Sequence, residues 1–104
     1  MESMEQLQIV VGEIQSTRQQ IGGFKAQILE LEATAEAVKN QPENLALHQQ
    51  LGGVLIEVAD RESLHGVLIT DIESIKEHMV RFETREKELV SSYEELKKVL
   101  EGSN

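Results

Sequence analysis

The chain has 104 residues and a formal net charge of −9, with 10 Lys and Arg against 19 Asp and Glu. This balance disfavours nucleic acid and anionic membranes as partners, because affinity for both depends on basic side chains. Without cysteine, neither disulfides nor thiolate metal sites are available, and a reducing compartment is expected. Neither a secretory signal nor an apolar run of ~20 residues is visible, so we expect a cytoplasmic protein.

The first predicted element is a long helix over residues 3–40. Its apolar residues recur at alternating steps of three and four, which is the heptad spacing of a coiled coil. The resulting seam contains one polar residue, Thr17, and consists of Leu7, Val10, Ile14, Thr17, Ile21, Phe24, Ile28, Leu31, Ala35 and Val38.

Both ends of this helix carry sequence signals. Ser3 and Gln6 have the spacing of a capping box, which predicts the start of the helix. Asn40 tolerates the left-handed conformation of a C-terminal cap, and Pro42 cannot continue a helix. The pattern therefore predicts that the helix ends at residue 40.

The connector over residues 45–58 predicts a β-hairpin. Two alternating apolar runs flank Gly52 and Gly53, and both glycines can take a positive φ, which favours a two-residue hairpin turn. This turn fixes the register, which pairs Leu51 with Val54, Gln49 with Ile56, His48 with Glu57 and Leu47 with Val58.

An isolated hairpin of two strands is marginally stable in water and has two unpaired edges. Nothing else in the chain can cover it, so we expect it to pair with strands of other chains, most simply in a closed β-barrel. The predicted assembly residues are Leu47, Leu51, Gly52, Gly53, Val54, Leu55, Ile56 and Val58.

A second long helix is predicted over residues 60–101. Asp60 is a favourable N-cap, and a second heptad seam follows it. Glu86 interrupts that seam, and Arg18 of the first helix is a plausible ion-pair partner for it. The seam consists of Leu68, Ile72, Ile75, Met79, Phe82, Glu86, Leu89, Tyr93, Leu96 and Leu100.

The two seams have similar lengths, which favours an antiparallel pair of helices within one chain over a parallel dimer of straight helices. The predicted fold is mainly α: one unit over residues 1–104, an antiparallel two-helix coiled coil with a central β-hairpin that joins an inter-subunit β-barrel. This arrangement places opposite each other Val38 and Leu68, Leu31 and Ile75, Phe24 and Phe82, and Leu7 and Leu100.

A weak stretch is expected where Gly22 and Gly23 lie at about the height of Thr17 and Glu86. Glycine costs a helix ~1 kcal/mol relative to alanine. Two interpretations stay open: a bending point that lets the helices splay, or a tolerated defect.

No catalytic or metal motif is found in the sequence. The three histidines, His48, His65 and His78, are widely spaced, and no phosphate-binding loop or nucleophile triad is present. A thin coiled coil also offers no pocket that could desolvate a reacting group. We therefore expect neither an enzyme nor a cofactor.

The connector and second helix, GGVLIEVADRESLHGVLITDIESIKEHMVRFETREKEL, resemble a prefoldin subunit of the β class, which has a single hairpin. The segment GGVLIE is nearest to the eukaryotic subunit 2 type, and RESLH resembles the subunit 1 type. The resemblance implies a hetero-hexamer of α-type and β-type subunits whose hairpins form a β-barrel platform.

The same resemblance implies a chaperone without nucleotide that holds unfolded polypeptides, notably actin and tubulin chains, and passes them to the cytosolic group II chaperonin. The expected client contacts lie where the two chain ends meet, because exposed apolar residues cluster there. They are Met1, Met4, Leu7, Ile9, Val10, Val11, Val99 and Leu100. The alternative is a structural coiled-coil adaptor that bridges folded proteins.

Overall fold

The computed structural model describes residues 2–102. It contains two helices and two strands in the predicted order: α1 (Glu2–Asn40), β1 (His48–Leu51), β2 (Val54–Glu57) and α2 (Arg61–Gly102). In this part of the chain no helix is long and apolar enough to cross a membrane.

The chain divides into two compact units. One comprises the described residues up to Lys25 together with those from Glu77 onward, and the other is Ala26–Lys76. In the first unit the rings of Phe24 and Phe82 meet edge to face, with centroids 5.1 Å apart. This contact confirms one predicted pairing of the antiparallel seam.

The heptad seams form the core of both units. Every seam residue is buried or half-buried, as the spacing predicted. The buried members include the interrupting Thr17, which is 9% exposed, and are Ile14, Thr17, Ile21, Ile28, Ala35, Val38, Ile72 and Leu89. Apolar burial along these seams therefore holds the helices together.

The starts of the two helices differ in how well the sequence predicted them. The second was predicted correctly: the backbone N–H of Ser63 donates to Asp60 Oδ1 at 3.0 Å, which is N-cap geometry. The first begins at Glu2, so Ser3 already lies inside the helix and is not its cap. The capping-box prediction was wrong because a helix start is defined by backbone geometry, which spacing alone does not fix.

The end of α1 is at Asn40, as predicted, but the mechanism differs. Among residues 2–102 no residue other than glycine has a positive φ, so Asn40 is not a left-handed cap. The N–H of Gln41 still donates to the carbonyl of Ala37 at 3.1 Å, which continues the helical pattern by one bond. Pro42 then ends the helix, because it has no N–H and restricts the residue before it.

The hairpin has the predicted register, with Leu51 opposite Val54 and Gln49 opposite Ile56. A further bond, from the N–H of Val58 to the carbonyl of Leu47 at 2.8 Å, extends the pairing beyond the strands. Only the first turn glycine has a positive φ: Gly52 lies at 61°. A positive φ at the first central position alone is typical of a type II′ turn.

Candidate functional site

The hairpin presents an exposed apolar surface, which we call the hairpin face: Leu47, Gln49, Leu51, Val54, Ile56 and Val58. Its three central apolar side chains are 52% (Leu51), 59% (Val54) and 48% (Ile56) exposed. Strand alternation places Leu55, which is 67% exposed, on the other side of the hairpin. Both sides and both edges of this two-stranded sheet are therefore open to another chain.

One residue that the sequence analysis missed fixes the connector beside the hairpin. The guanidinium of Arg61 donates to the carbonyl oxygens of Gln41, Pro42 and Leu45. These bonds tie the segment after α1 to the first residue of α2. The planar, multi-donor guanidinium suits this role, because several carbonyls must be reached from one side chain.

A groove lies between the N-terminal part of α1 and the C-terminal part of α2, and we call it the terminal groove. It is lined by side chains of both helices, namely Gln6, Ile9, Val10, Ser92, Glu95, Leu96 and Val99. Ile9 is 61% exposed and Val99 is 55% exposed, whereas Val10 and Leu96 are half-buried seam residues. Apolar surface that normally closes a coiled-coil seam is therefore reachable from solvent here.

A second groove in the same unit is lined by a different set of residues: Val11, Ile14, Gln15, Arg18, Val90, Tyr93 and Glu94. Its apolar members are buried or half-buried. The guanidinium of Arg18 is bound to the Glu86 carboxylate at 2.7 Å, which confirms the predicted partner of that seam charge. The second groove is thus less open to an apolar ligand than the terminal groove.

The predicted client contacts lie at different places in the structure. The fold brings Ile9, Val10 and Val99 together in the terminal groove and places Val11 in the second groove. Met4 is 46% exposed and lines neither groove.

Two further predicted contacts, Leu7 and Leu100, are half-buried seam residues. Met1 lies outside the described residues. Leu96 was predicted only as a seam residue, and Glu95 and Ser92 were not predicted to belong to a site. The flanking heptad positions of α2 were the signal that could have found them, because they border the seam.

The histidines have structural neighbours. His48 lies opposite Glu57 in the hairpin, as predicted, and His78 stacks on Phe24 with ring centroids 6.5 Å apart. Within residues 2–102 no cluster of three or more His, Cys, Asp or Glu side chains is arranged to hold a metal ion.

Comparison with known proteins shows the fold and the family. The prefoldin beta subunit from Thermococcus strain KS-1 superimposes with a TM-score of 0.89 at 17% identity, and the match covers 98% of this chain and 89% of that one. At that identity the likeness establishes the fold, which is the β-class architecture with one hairpin. No curated protein matches the chain significantly. A family model described as prefoldin subunit matches residues 1–103, so this chain belongs to the prefoldin subunit family and is a chaperone subunit of that type.

Proposed function

We propose that this chain is a β-type subunit of an ATP-independent, hetero-hexameric chaperone of the cytoplasm. The complex holds unfolded or nascent polypeptides, of which actin and tubulin chains are the expected type, and delivers them to the group II chaperonin. Family membership over residues 1–103 supports the general role. The clients and the delivery step are the part that we propose.

The observation that carries the proposal is the terminal groove. Ile9 and Val99, contributed by different helices, are both more than half exposed and line the same groove. Exposed apolar surface shared between two elements is typical of an interaction site. A groove with two exposed apolar side chains gives a weak contact, so firm binding of a client requires several subunits that act together.

Assembly supplies those several subunits. The exposed Leu51, Val54 and Ile56 of the hairpin face give strands of other subunits an apolar surface to cover. Main-chain hydrogen bonds along the open hairpin edges then join the subunits, as in other cases of strand addition. The hairpin is therefore the proposed assembly element, and the terminal groove is the proposed client contact.

The experiment compares variants of the assembled complex in suppressing aggregation of a chemically unfolded client. We expect Ile9→Ser combined with Val11→Ser to leave assembly intact and to lower suppression at least about twofold, because each change removes apolar contact area. Since Val11 is half-buried beside Val90, Ile9→Ser alone is the cleaner variant. The matched control is Gln8→Ser, an exposed neighbour that lines neither groove.

Unchanged suppression by the Ile9→Ser variant contradicts the assignment of client binding to this groove. A complex that binds one folded partner tightly and ignores unfolded chains would instead fit the structural adaptor. Binding assays with native and unfolded forms of the same client separate the two functions.

A further inference from the structure

The terminal groove combines apolar walls with one ionised group. Among its lining residues Glu95 alone carries a charge, beside the neutral polar side chains of Gln6 and Ser92. Ile9 and Val99 supply the exposed apolar surface. A ligand that fills this groove therefore contacts both hydrocarbon and a carboxylate.

The Glu95 carboxylate is the charged group that a ligand in this groove would meet. Within residues 2–102 it forms no ion pair, although Lys98 lies one helical turn further along α2. Elsewhere in the same unit Arg85 pairs with Glu13 at 3.0 Å and lies 3.9 Å from Glu88. Glu13 and Glu88 thus have a cationic neighbour in Arg85, whereas the Glu95 carboxylate is not engaged in an ion pair among the described residues and can meet a ligand.

The second groove provides an internal comparison. It also contains a glutamate, Glu94, and it is lined by Arg18, whose guanidinium pairs with Glu86. Its apolar residues are less exposed than Ile9 and Val99. A ligand that combines an apolar and a cationic group is therefore expected at the terminal groove, where a carboxylate lies beside exposed hydrocarbon, rather than at the second groove.

We propose that the terminal groove selects unfolded segments in which an apolar side chain lies next to lysine or arginine. The apolar side chain fills the space between Ile9 and Val99, and the basic group pairs with the Glu95 carboxylate. This inference rests on the proposed holding function and names the class of client segment. The net charge of −9 adds a long-range attraction for basic chains, which raises the rate of encounter.

The expected selectivity is modest. An exposed ion pair changes an affinity by about two- to fivefold, and salt weakens it. Such a preference fits a holding chaperone, because it biases binding toward certain segments without excluding others.

The test uses the complex assembled with an α-type partner, in which this chain fills every β-type position. Two labelled, unstructured peptides share a central Leu-Val-Leu segment, which is flanked by lysines in one and by glutamines in the other. Fluorescence anisotropy gives both affinities. We expect the lysine peptide to bind about two- to fivefold more tightly, and the difference to shrink as salt is added.

Three variants test which residues cause the preference for the lysine peptide. Glu95→Gln should remove most of the preference for the lysine peptide, whereas Glu94→Gln, the matched control on the second groove, should retain it. Val99→Ser should weaken binding of both peptides by a similar factor, because it removes shared apolar contact.

The inference is overturned if the unmodified complex binds both peptides equally, or if the Glu95→Gln complex keeps the full preference. Equal binding leaves the proposed holding function standing, because both peptides are still held. Failure to bind either peptide contradicts the holding function and this inference together.

Discussion

At the scale of single residues, Arg61 shows how the connector is held. The cation occupies the first residue of α2, where the positive end of the helix dipole disfavours it. Its hydrogen bonds to the carbonyls of Gln41, Pro42 and Leu45 compensate for that position. These carbonyls follow the end of α1, so a single guanidinium ties together the segments that flank the hairpin.

We expect Arg61→Ala to lower the free energy of unfolding by about 1–3 kcal/mol, because charge-assisted hydrogen bonds are lost and carbonyl groups lose their donors. Arg61→Lys should recover only part of this, since an ammonium cannot reproduce the planar fork. Denaturant unfolding followed by circular dichroism measures both variants. Arg81→Ala is the control, because Arg81 is exposed and forms no ion pair among the described residues. Equal losses for Arg61→Ala and Arg81→Ala would contradict the connector role.

Glu86 is a second residue of interest, because it is a charged residue in an apolar heptad seam. Its carboxylate interrupts an apolar seam, is 28% exposed, and pairs with an Arg18 side chain that is 62% exposed. The guanidinium can therefore return to water if its partner is removed, whereas the carboxylate is held within the seam. The two single replacements should for this reason have opposite effects.

We expect Glu86→Leu to raise the free energy of unfolding by up to about 1 kcal/mol, because an apolar residue completes the seam and Arg18 stays hydrated. Arg18→Ala should lower it by about 1 kcal/mol, since the half-buried carboxylate then lacks its partner. Urea titrations of both variants give the two values. Destabilisation by Glu86→Leu would show that the ion pair contributes more than seam packing at this position.

At the scale of elements, the two turn glycines differ although they are adjacent. Gly52 has a φ of 61°, and Gly53 lies outside the left-handed region. A Cβ added at either position would meet no atom within 4 Å, so steric crowding is the same for both. Any difference between alanine substitutions at these positions therefore reports backbone conformation alone.

We expect Gly52→Ala to destabilise the hairpin by about 1–2 kcal/mol, the cost of a left-handed conformation for an L-residue, and Gly53→Ala to cost less. Because the hairpin is the proposed assembly element, the readout is the dissociation constant of the complex with an α-type partner. About 1.4 kcal/mol corresponds to a tenfold change. Equal weakening by the two substitutions would argue against the type II′ turn.

Gly22 and Gly23 belong to α1 and present a different case. Both are exposed, and a Cβ at either would meet nothing within 4 Å. Neither packing nor a positive φ requires glycine here. The two interpretations, bending point and tolerated defect, make the same prediction for stability and different ones for function.

We expect replacement of both glycines by alanine to stabilise the helix by roughly 0.5–1 kcal/mol at each position. Hydrogen exchange should then slow near residues 22–23. If α1 bends here to hold clients of different sizes, suppression of aggregation of a large client should fall although stability rises. Unchanged suppression supports the tolerated defect.

The elements that sequence predicted well are those that depend on local rules. The seam from Leu7 to Val38 follows from heptad spacing, and the pairing of Leu51 with Val54 follows from the two-residue turn. The Arg61 bonds were missed because they depend on the path of an irregular connector, which has no period. The terminal groove was found in part, since its opening depends on flanking positions of two helices at once.

At the scale of the whole molecule, the hairpin carries apolar side chains and strand edges that the described part of the chain leaves exposed. Leu51, Val54 and Ile56 of the hairpin face are each about half exposed. Burying such side chains contributes about 25 cal/mol for each Å² of apolar surface removed from water. A strand of another subunit can provide that burial and also pair the open edges, which otherwise invite aggregation.

We expect co-expression with an α-type prefoldin subunit to give a hetero-hexamer by native mass spectrometry, and Ile56→Lys to abolish it, because a lysine would be buried without a partner on the hairpin face. The control is Gln50→Lys, on the other side of the same hairpin, which should assemble normally. Circular dichroism should show unchanged helicity for both variants, since β1 and β2 do not contribute to the heptad seams. A chain that stays monomeric beside every α-type partner, or an Ile56→Lys variant that still forms the hexamer, would overturn the assignment of assembly to the hairpin face.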